Sequence, residues 1–287
     1  MFEILRYGAP VALAACGETL GQRAGVLNIG LEGTMLSSAY AGAIVAIRTQ
    51  NPWLGLVAGV IVGVVFALLN ALFVVKLASD QVVVGTAINL FSLGLTGTLY
   101  RAEFGKSGTL LKVPMIPALA PGIDFVTVAM ILAVPALTFI LFKTKWGLLL
   151  RSAGEYPPAT VSSGFDVIKI RTQAMLVAGA MAGLAGAYLS VGVSGSFAEG
   201  FTNGKGFIAI ALVTFGRFRP IWVFAASMLV GAAELVQFWL QAKFGTANVP
   251  AEFFIALPYV VALLVLVILG KGTRSPGALG IPFRRNS

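Results

Sequence analysis

Stretches of apolar residues long enough, or nearly long enough, to cross a bilayer recur from one end of this chain to the other. They fall near Tyr7–Leu20, Thr34–Ile47, Trp53–Val75, Val82–Tyr100, Phe125–Phe142, Thr172–Val193, Phe207–Phe215, Ile221–Leu240 and Phe253–Leu269. About 20 apolar residues span a hydrocarbon core as a helix. Only 11% of the 287 residues are charged, against roughly 25% in a soluble domain. So few charges cannot cover a water-facing surface, and lipid must be the outer solvent. The fold class that follows is all-α and polytopic, a single transmembrane domain over residues 1–287 with about eight or nine crossings. Met1–Gly8 lacks a basic segment followed by a small-residue cleavage site, so the first apolar stretch is expected to be retained.

Two stretches, Tyr7–Leu20 and Phe207–Phe215, fall below the roughly 17 residues a simple span needs. Each lies beside a glycine-rich polar run, Gly21–Gly33 and Gly192–Gly206. Both regions read as broken or re-entrant helices. Irregular backbone at membrane depth survives only where protein or a water-filled cavity surrounds it, so such breaks point toward a translocation path. A weak likeness between Gly25–Gly33 and Gly200–Gly206 is compatible with internal duplication.

Lys and Arg set the orientation. The loop 143–171 carries Lys143, Lys145, Arg151, Lys169 and Arg171 against Glu155 and Asp166. The tail 271–287 carries Lys271, Arg274, Arg284 and Arg285, and a turn before Pro220 carries Arg217 and Arg219. All three are expected to be cytoplasmic, with Arg101–Asp124 and Gln241–Glu252 outside; the side of the N-terminus stays open. The net charge of +9 is then an excess in cytoplasmic loops and no sign of a nucleic-acid partner. There is no His and one Cys, Cys16, which removes imidazole acid–base chemistry, the common zinc sites and an intrachain disulfide. No catalytic or metal site is expected, and the chain does not read as an enzyme.

The stretch Gly17–Gly33 places Glu18, Arg23, Asn28 and Glu32 between two apolar segments. A charge at the centre of a membrane helix costs roughly 2.5–3.5 kcal/mol on insertion scales, so these residues form either an internal paired site or an ordinary cytoplasmic loop. Asn89 sits mid-helix among apolar residues and serves either an interhelical hydrogen bond or the path. Ser227, Gly231, Glu234, Phe238 and Gln241 share one helix face, and Glu234 is expected to face the bundle interior. Asn28, Glu32, Asn89 and Glu234 are the candidate pathway residues. Gly179, Gly183 and Gly186 read as close helix packing. Pro157 and Pro158 suit the first turn of a short helix, Pro157–Ser163, and Gly164 suits the position just past its end. Gly105-Lys106-Ser107 is no phosphate loop, because Tyr100 stands where that motif needs Gly. Gly204-Lys205-Gly206 lacks the required Ser or Thr.

Four blocks, in order, resemble the permeases of nucleoside and simple-sugar ABC importers, a branch of the family that includes ribose and branched-chain amino acid permeases. They are QRAGVLNIGLEGTML at Gln22–Leu36, VVVGTAINL at Val82–Leu90, GLLLRSAGEYP at Gly147–Pro157, and GFIAIA at Gly206–Ala211 with FGRFRP at Phe215–Pro220. The chain departs from the pattern at Gln22 (usually Glu), Thr34 (usually Met) and Tyr156 (usually Asn), and Ala159–Ser163 is less Ala-rich. The resemblance implies an inner (plasma) membrane importer subunit translocating nucleosides by alternating access. Simple sugars or branched-chain amino acids are the alternative solutes, and an ion-coupled secondary transporter the remote alternative. It implies a partner ATP-binding cassette ATPase that binds the ATP and Mg, with no cofactor in this chain. A second homologous permease subunit, an extracytoplasmic substrate-binding protein and membrane lipid complete the expected partners. It also implies that Arg151, Gly154, Glu155, Pro157, Pro158, Ala159 and Gly164 couple this chain to the ATPase.

Overall fold

The computed structural model describes residues 2–105, 111–244, 251–269 and 274–284. Lys106 and Ser107 of the rejected phosphate motif, and Lys271 and Arg285 of the tail, lie outside the described residues. The helices are α1 (Phe2–Arg23), α2 (Leu31–Thr49), α3 (Pro52–Ala71, ending in a π turn Leu72–Lys76), α4 (Gln81–Phe104), α5 (Phe125–Lys143), α6 (Lys145–Glu155), α7 (Pro157–Ser162), α8 (Val167–Tyr188, ending in a π turn Leu189–Ser194), α9 (Lys205–Phe215), α10 (Pro220–Phe244), α11 (Ala251–Ile255) and α12 (Leu257–Leu269). Four strands of two or three residues stitch outer loops: β1 (Leu111–Lys112) pairs with β4 (Ser196–Phe197), and β2 (Ala118–Ala120) with β3 (Ile123–Asp124). The protein is all-α and polytopic, as its hydropathy requires.

Among the described residues five helices are long and apolar enough to cross a membrane by themselves: α3 and α8 with their π extensions, α4, α5 and α10. The first apolar stretch corrects one expectation. It is neither short nor broken, because α1 is a continuous helix of 22 residues, about 33 Å at 1.5 Å per residue. Glu18, Thr19 and Gln22 are helical and lower its hydropathy, yet every residue from Gly8 to Gln22 is buried. Packed against α5, α8, α9 and α10, α1 meets protein rather than lipid and can carry polar groups where they find partners. The interruption shrinks to residues 24–30. The second short stretch stands as expected: α9 has 11 residues and is preceded by non-helical chain, residues 195–204.

Close packing of α8 on α2 and α3 follows from glycines. A Cβ on Gly183 would overlap the Gly59 carbonyl, and one on Gly186 the Met35 carbonyl, so no larger residue permits this approach. Asp80, Asp124 and Asp166 cap α4, α5 and α8 through their side chains, which satisfies the orphan amides of those helix starts.

The three basic segments converge on one end of the bundle. The Arg23 guanidinium donates to the Phe218 and Arg217 carbonyls, and Arg23, Arg151 and Arg219 all lie over the Phe142 ring. Ala278 of the tail donates to the Gly154 carbonyl. This end is cytoplasmic by its charge. At the other end Arg48 pairs with Glu103 at 2.5 Å, Trp53 stacks edge-on with Phe125, and Gly122 lies against the backbone of Phe2 and Glu3. The described N-terminal residues therefore stand outside. Among the described residues α1, α2, α3, α4, α5, α8, the 195–215 segment, α10 and α11–α12 alternate in direction and bring the tail inside.

Candidate functional site

The first break, residues 24–30, is held by buried amides and one carboxylate. Glu18 Oε1 accepts from the Asn28 amide at 3.1 Å and from Gln22 Nε2 at 3.2 Å. Asn28 Oδ1 accepts from Asn70 Nδ2 at 2.6 Å, and Gln81 Oε1 accepts from the Leu27 amide at 2.7 Å. Asn89 closes the far side, its Oδ1 accepting from the Gly33 amide and its Nδ2 donating to the Ile29 carbonyl, at 2.7 and 2.9 Å. Glu18 and Asn28 of the stretch Gly17–Gly33 are paired internally, while Arg23 and Gly25 lie at the cytoplasmic end. The loop works because three helices, α1, α3 and α4, lend it polar side chains: Glu18, Asn70, and Gln81 with Asn89.

Glu32 joins this break to the second. Its Oε1 accepts from Thr202 Oγ1 at 2.5 Å and from the Gly204 amide at 2.8 Å, and its Oε2 accepts from the Gly206 amide at 2.6 Å. The amides of Gly204 and Gly206 open α9, so a carboxylate at that helix start meets both hydrogen-bond and dipole demands. A Cβ on Gly206 would stand 2.5 Å from Glu32 Cα, so only glycine allows α9 to sit this close to α2.

Beside the second break lies a cavity of about 880 Å³, lined by Tyr7 of α1, Val193 and Ser194 of the α8 extension, Phe201 and Asn203 of the break, Lys205 of α9, and Glu234, Gln237, Phe238, Gln241 and Tyr259 of α10 and α12, among others. Tyr7, near the outer end of α1, and Gln241, near the outer end of α10, put it in the outer half of the bundle. Lys205 and Glu234 form an ion pair in its wall, and both side chains are largely buried, 17% and 7% exposed. Tyr259 donates its hydroxyl to the Asn203 carbonyl, and Tyr7 and Phe238 place their ring centroids 5.3 Å apart. Aromatic faces, three amides and a neutral ion pair can take a flat, uncharged solute rich in hydrogen-bonding groups.

Of the four candidate pathway residues, Glu234 lines the cavity. Glu32 stands behind its wall, and Asn28 and Asn89 hold the first break instead. Lys205, absent from the candidate set, had a usable signal. A lysine at membrane depth needs a counter-ion, and Glu234 on an apolar helix needs a cation.

The cytoplasmic candidates form a contiguous set. Arg151 lies over Phe142, 5.3 Å from its centroid. A Cβ on Gly154 would overlap the Arg23 carbonyl, so Gly154 lets α6 lie on the end of α1. Glu155 Oε2 accepts from the Gly277 amide at 3.1 Å. Pro157 and Pro158 open α7, which runs to Ser162, and Gly164 follows at φ +85° in open space. Tyr156, Pro158, Ala159, Val161 and Phe165 are exposed, an apolar surface of the kind that marks a protein interface.

The family model described as branched-chain amino acid transport system / permease component matches residues 1–269. A guanosine ABC transporter permease, NupQ of Bacillus subtilis, is 31% identical over 97% of this chain and 94% of its own length. A nucleoside ABC transporter permease, NupC of Lactococcus lactis, is 31% identical over 98% of this chain and 95% of its own. A putative glucose ABC transporter permease, TsgC13 of Haloferax volcanii, is 34% identical over 78% of this chain and 72% of its own. No solved structure matches. These matches cover the buried α1, both breaks, the cavity and the α6–α7 corner, and the chain belongs to the ABC-transporter permease family described as the branched-chain amino acid transport system / permease component: it is a multi-pass inner-membrane transport subunit and not an enzyme.

Proposed function

We propose that this permease translocates nucleosides inward, driven by an ATP-binding cassette ATPase that it does not itself contain. The observation that carries the reading is the cavity between α1, α9, α10 and α12, where Tyr7, Phe201, Phe238 and Tyr259 surround Asn203, Gln237, Gln241 and the Lys205–Glu234 pair. Aromatic faces stack on a nucleobase, amides read its edge, and the paired charges leave no net field for an ion. The permeases named for guanosine and for nucleosides, alike over nearly the whole chain, support the same solute class.

The ATPase docks at α7, whose exposed Pro158, Ala159 and Val161 project from the cytoplasmic end beside Arg151, Gly154, Glu155 and Gly164. ATP and Mg bind that partner. A second homologous permease chain completes the membrane unit, and an extracytoplasmic binding protein delivers solute to the outer end. Alternating access follows if the ATPase dimer pulls α7 and the bundle shifts the side to which its cavity opens. The solute moves that equilibrium only by its difference in affinity between the two states.

A sugar reading rests on the relative named for glucose, since a sugar ring also stacks on aromatic faces. The test is uptake into proteoliposomes holding this chain with its ATPase, partner permease and binding protein, using labelled guanosine, cytidine, glucose and leucine. ATP-dependent uptake of nucleosides is expected. Preference for glucose or leucine would overturn the solute, and uphill transport by this chain without nucleotide would overturn the mechanism.

A further inference from the structure

The tail segment 276–283 is anchored on the cytoplasmic end more firmly than a trailing connector requires. Ala278 donates to the Gly154 carbonyl at 2.8 Å, and Gly280 donates to the Gly25 carbonyl at 3.3 Å. Gly277 donates to Glu155 Oε2 at 3.1 Å. Pro276 and Ala278 are buried, and Leu279 and Phe283 pack against the bundle core. Three short segments meet along this strip: the end of α6, the first break, and the tail.

Arg171, in the first turns of α8, ties the strip together. It is 2% exposed. Its Nη1 donates to the Ile281 carbonyl at 3.2 Å and its Nη2 to the Ala153 carbonyl at 3.3 Å. A Cβ on Gly25, where φ is +89°, would stand 2.6 Å from Arg171 Nη2 and 3.1 Å from the Ala278 carbonyl oxygen. No carboxylate pairs with Arg171 among the described residues, and its Nε has no hydrogen-bond partner there. Burying a guanidinium against neutral carbonyls is costly. What it gains is geometry, because the planar fork joins α6 to the tail and presses on Gly25 at once.

We propose that Arg171 and the tail segment 276–283 are positioning elements of the coupling apparatus: they fasten the α6–α7 corner to the first break, so that displacement of α7 is delivered to residues 24–30. The inference rests on the reading of α7 as the ATPase dock. Without the tail, the α6 end meets the break through contact of Gly154 with the Arg23 and Ala24 backbone and through Arg171, which bonds Ala153 and lies against Gly25. With it, Gly154, Glu155 and Gly25 are also bonded to one turn, through Ala278, Gly277 and Gly280. The same segment carries Phe283 to the groove of about 240 Å³ beside α7, where Val161, Phe165 and Ile168 form the other wall. The tail thus touches both the input surface and the element it moves.

The experiment uses the complete reconstituted transporter and reads solute moved per ATP hydrolysed, alongside co-purification of the ATPase. Residues 277–284 are replaced by a Gly/Ser segment of equal length, and separately Arg171→Gln and Arg171→Lys are made. The expected result is retained assembly and retained basal hydrolysis, with solute per ATP falling about tenfold in the segment variant and in R171Q. R171K falls less, since Lys reaches one carbonyl and not two. Combining R171Q with the segment variant is expected to cost no more than the larger single change, because both act through one strip. A ratio within twofold of wild type in R171Q or the segment variant overturns the proposal, as does full additivity. Should the segment variant fail to assemble, R171Q and R171K decide by the same ratio. A wild-type complex that binds no ATPase would sink the docking reading itself, which is a separate outcome.

Discussion

Residues 24–30, which begin at the cytoplasmic end, and residues 195–204, which begin at the outer end, both interrupt helix with glycines and polar side chains, and they are held in different ways. The first is bonded by Glu18, Asn70, Gln81 and Asn89, which come from three helices. The second meets a cavity, is fastened to α2 by Glu32, and is tied to α12 by the Tyr259 hydroxyl. Two residues near its end, Asn203 at φ 45° and Gly204 at φ +75°, sit in the left-handed region. The first break is built as a fixed part that can receive a displacement. The second is built as a wall that can change shape around a solute, with Glu32 as the link between them.

Cutting that link is expected to have the largest effect. Glu32→Ala leaves Thr202 Oγ1 and the amides of Gly204 and Gly206 without their acceptor. At about 1–3 kcal/mol for each unmet buried donor, the loss is about 5 kcal/mol, a large share of ordinary stability. Thermal unfolding of the purified complex in nanodiscs checks it, and transport should vanish with it. A melting point unchanged by E32A would mean that water or another group replaces the carboxylate, and the contrast between the breaks would fail.

Lys205→Met comes next, because it strands the Glu234 charge in the cavity wall. Removing one member of a buried pair costs about 3 kcal/mol or more, whereas replacing both by apolar groups is often near neutral. Unfolding of K205M, E234M and the double variant forms a double-mutant cycle. The double variant is expected to recover most of the stability and still to lose solute affinity. If it transports nucleosides with wild-type KM, the pair is structural only, and the cavity loses its central feature.

How much of this was legible follows from the range of each interaction. α7 and its end were readable because Pro157, Pro158 and Gly164 act on their own backbone. The short α9 was readable because eleven apolar residues cannot span lipid whatever surrounds them. The length of α1 was not, since a hydropathy window treats Glu18 and Gln22 as loop residues, when Glu18 is accommodated in the helix by Gln22 one turn on and by the Asn28 amide of the loop that follows. Asn70, Gln81 and Arg171 escaped for another reason: each is one polar residue whose partners come from distant segments. The burial of Glu234 was foreseeable, and its cation was one helix away in a motif tested only for phosphate binding. The tail read as a basic end because charge is local information, while its hydrogen bonds to Gly25 and Gly154 are not.

Asn89→Ala probes the fixed break. The substitution frees the Gly33 amide and the Ile29 carbonyl, and about 2 kcal/mol of stability is expected to go with them. KM for solute should stay near wild type, because Asn89 is absent from the cavity lining. Uptake kinetics at a temperature where the variant remains folded separate the two effects. A KM raised tenfold with unchanged stability would place Asn89 on the path and reverse the roles assigned to the two breaks.

The smallest effect on folding, and the sharpest on the comparison, belongs to Asn203→Gly. Asn tolerates the left-handed region better than most residues, and glycine tolerates it without steric cost. Folding stability should therefore change by less than about 1 kcal/mol. The Tyr259 bond survives, since it uses the Asn203 backbone carbonyl. What disappears is one amide from the cavity wall, so KM for nucleosides should rise several-fold while the melting point stays put. That split is the signature of a wall residue: fold untouched, solute weakened. Were N203G instead to transport like wild type, the amide would not face the solute, and the left-handed turn would be there only to bring Lys205 to Glu234.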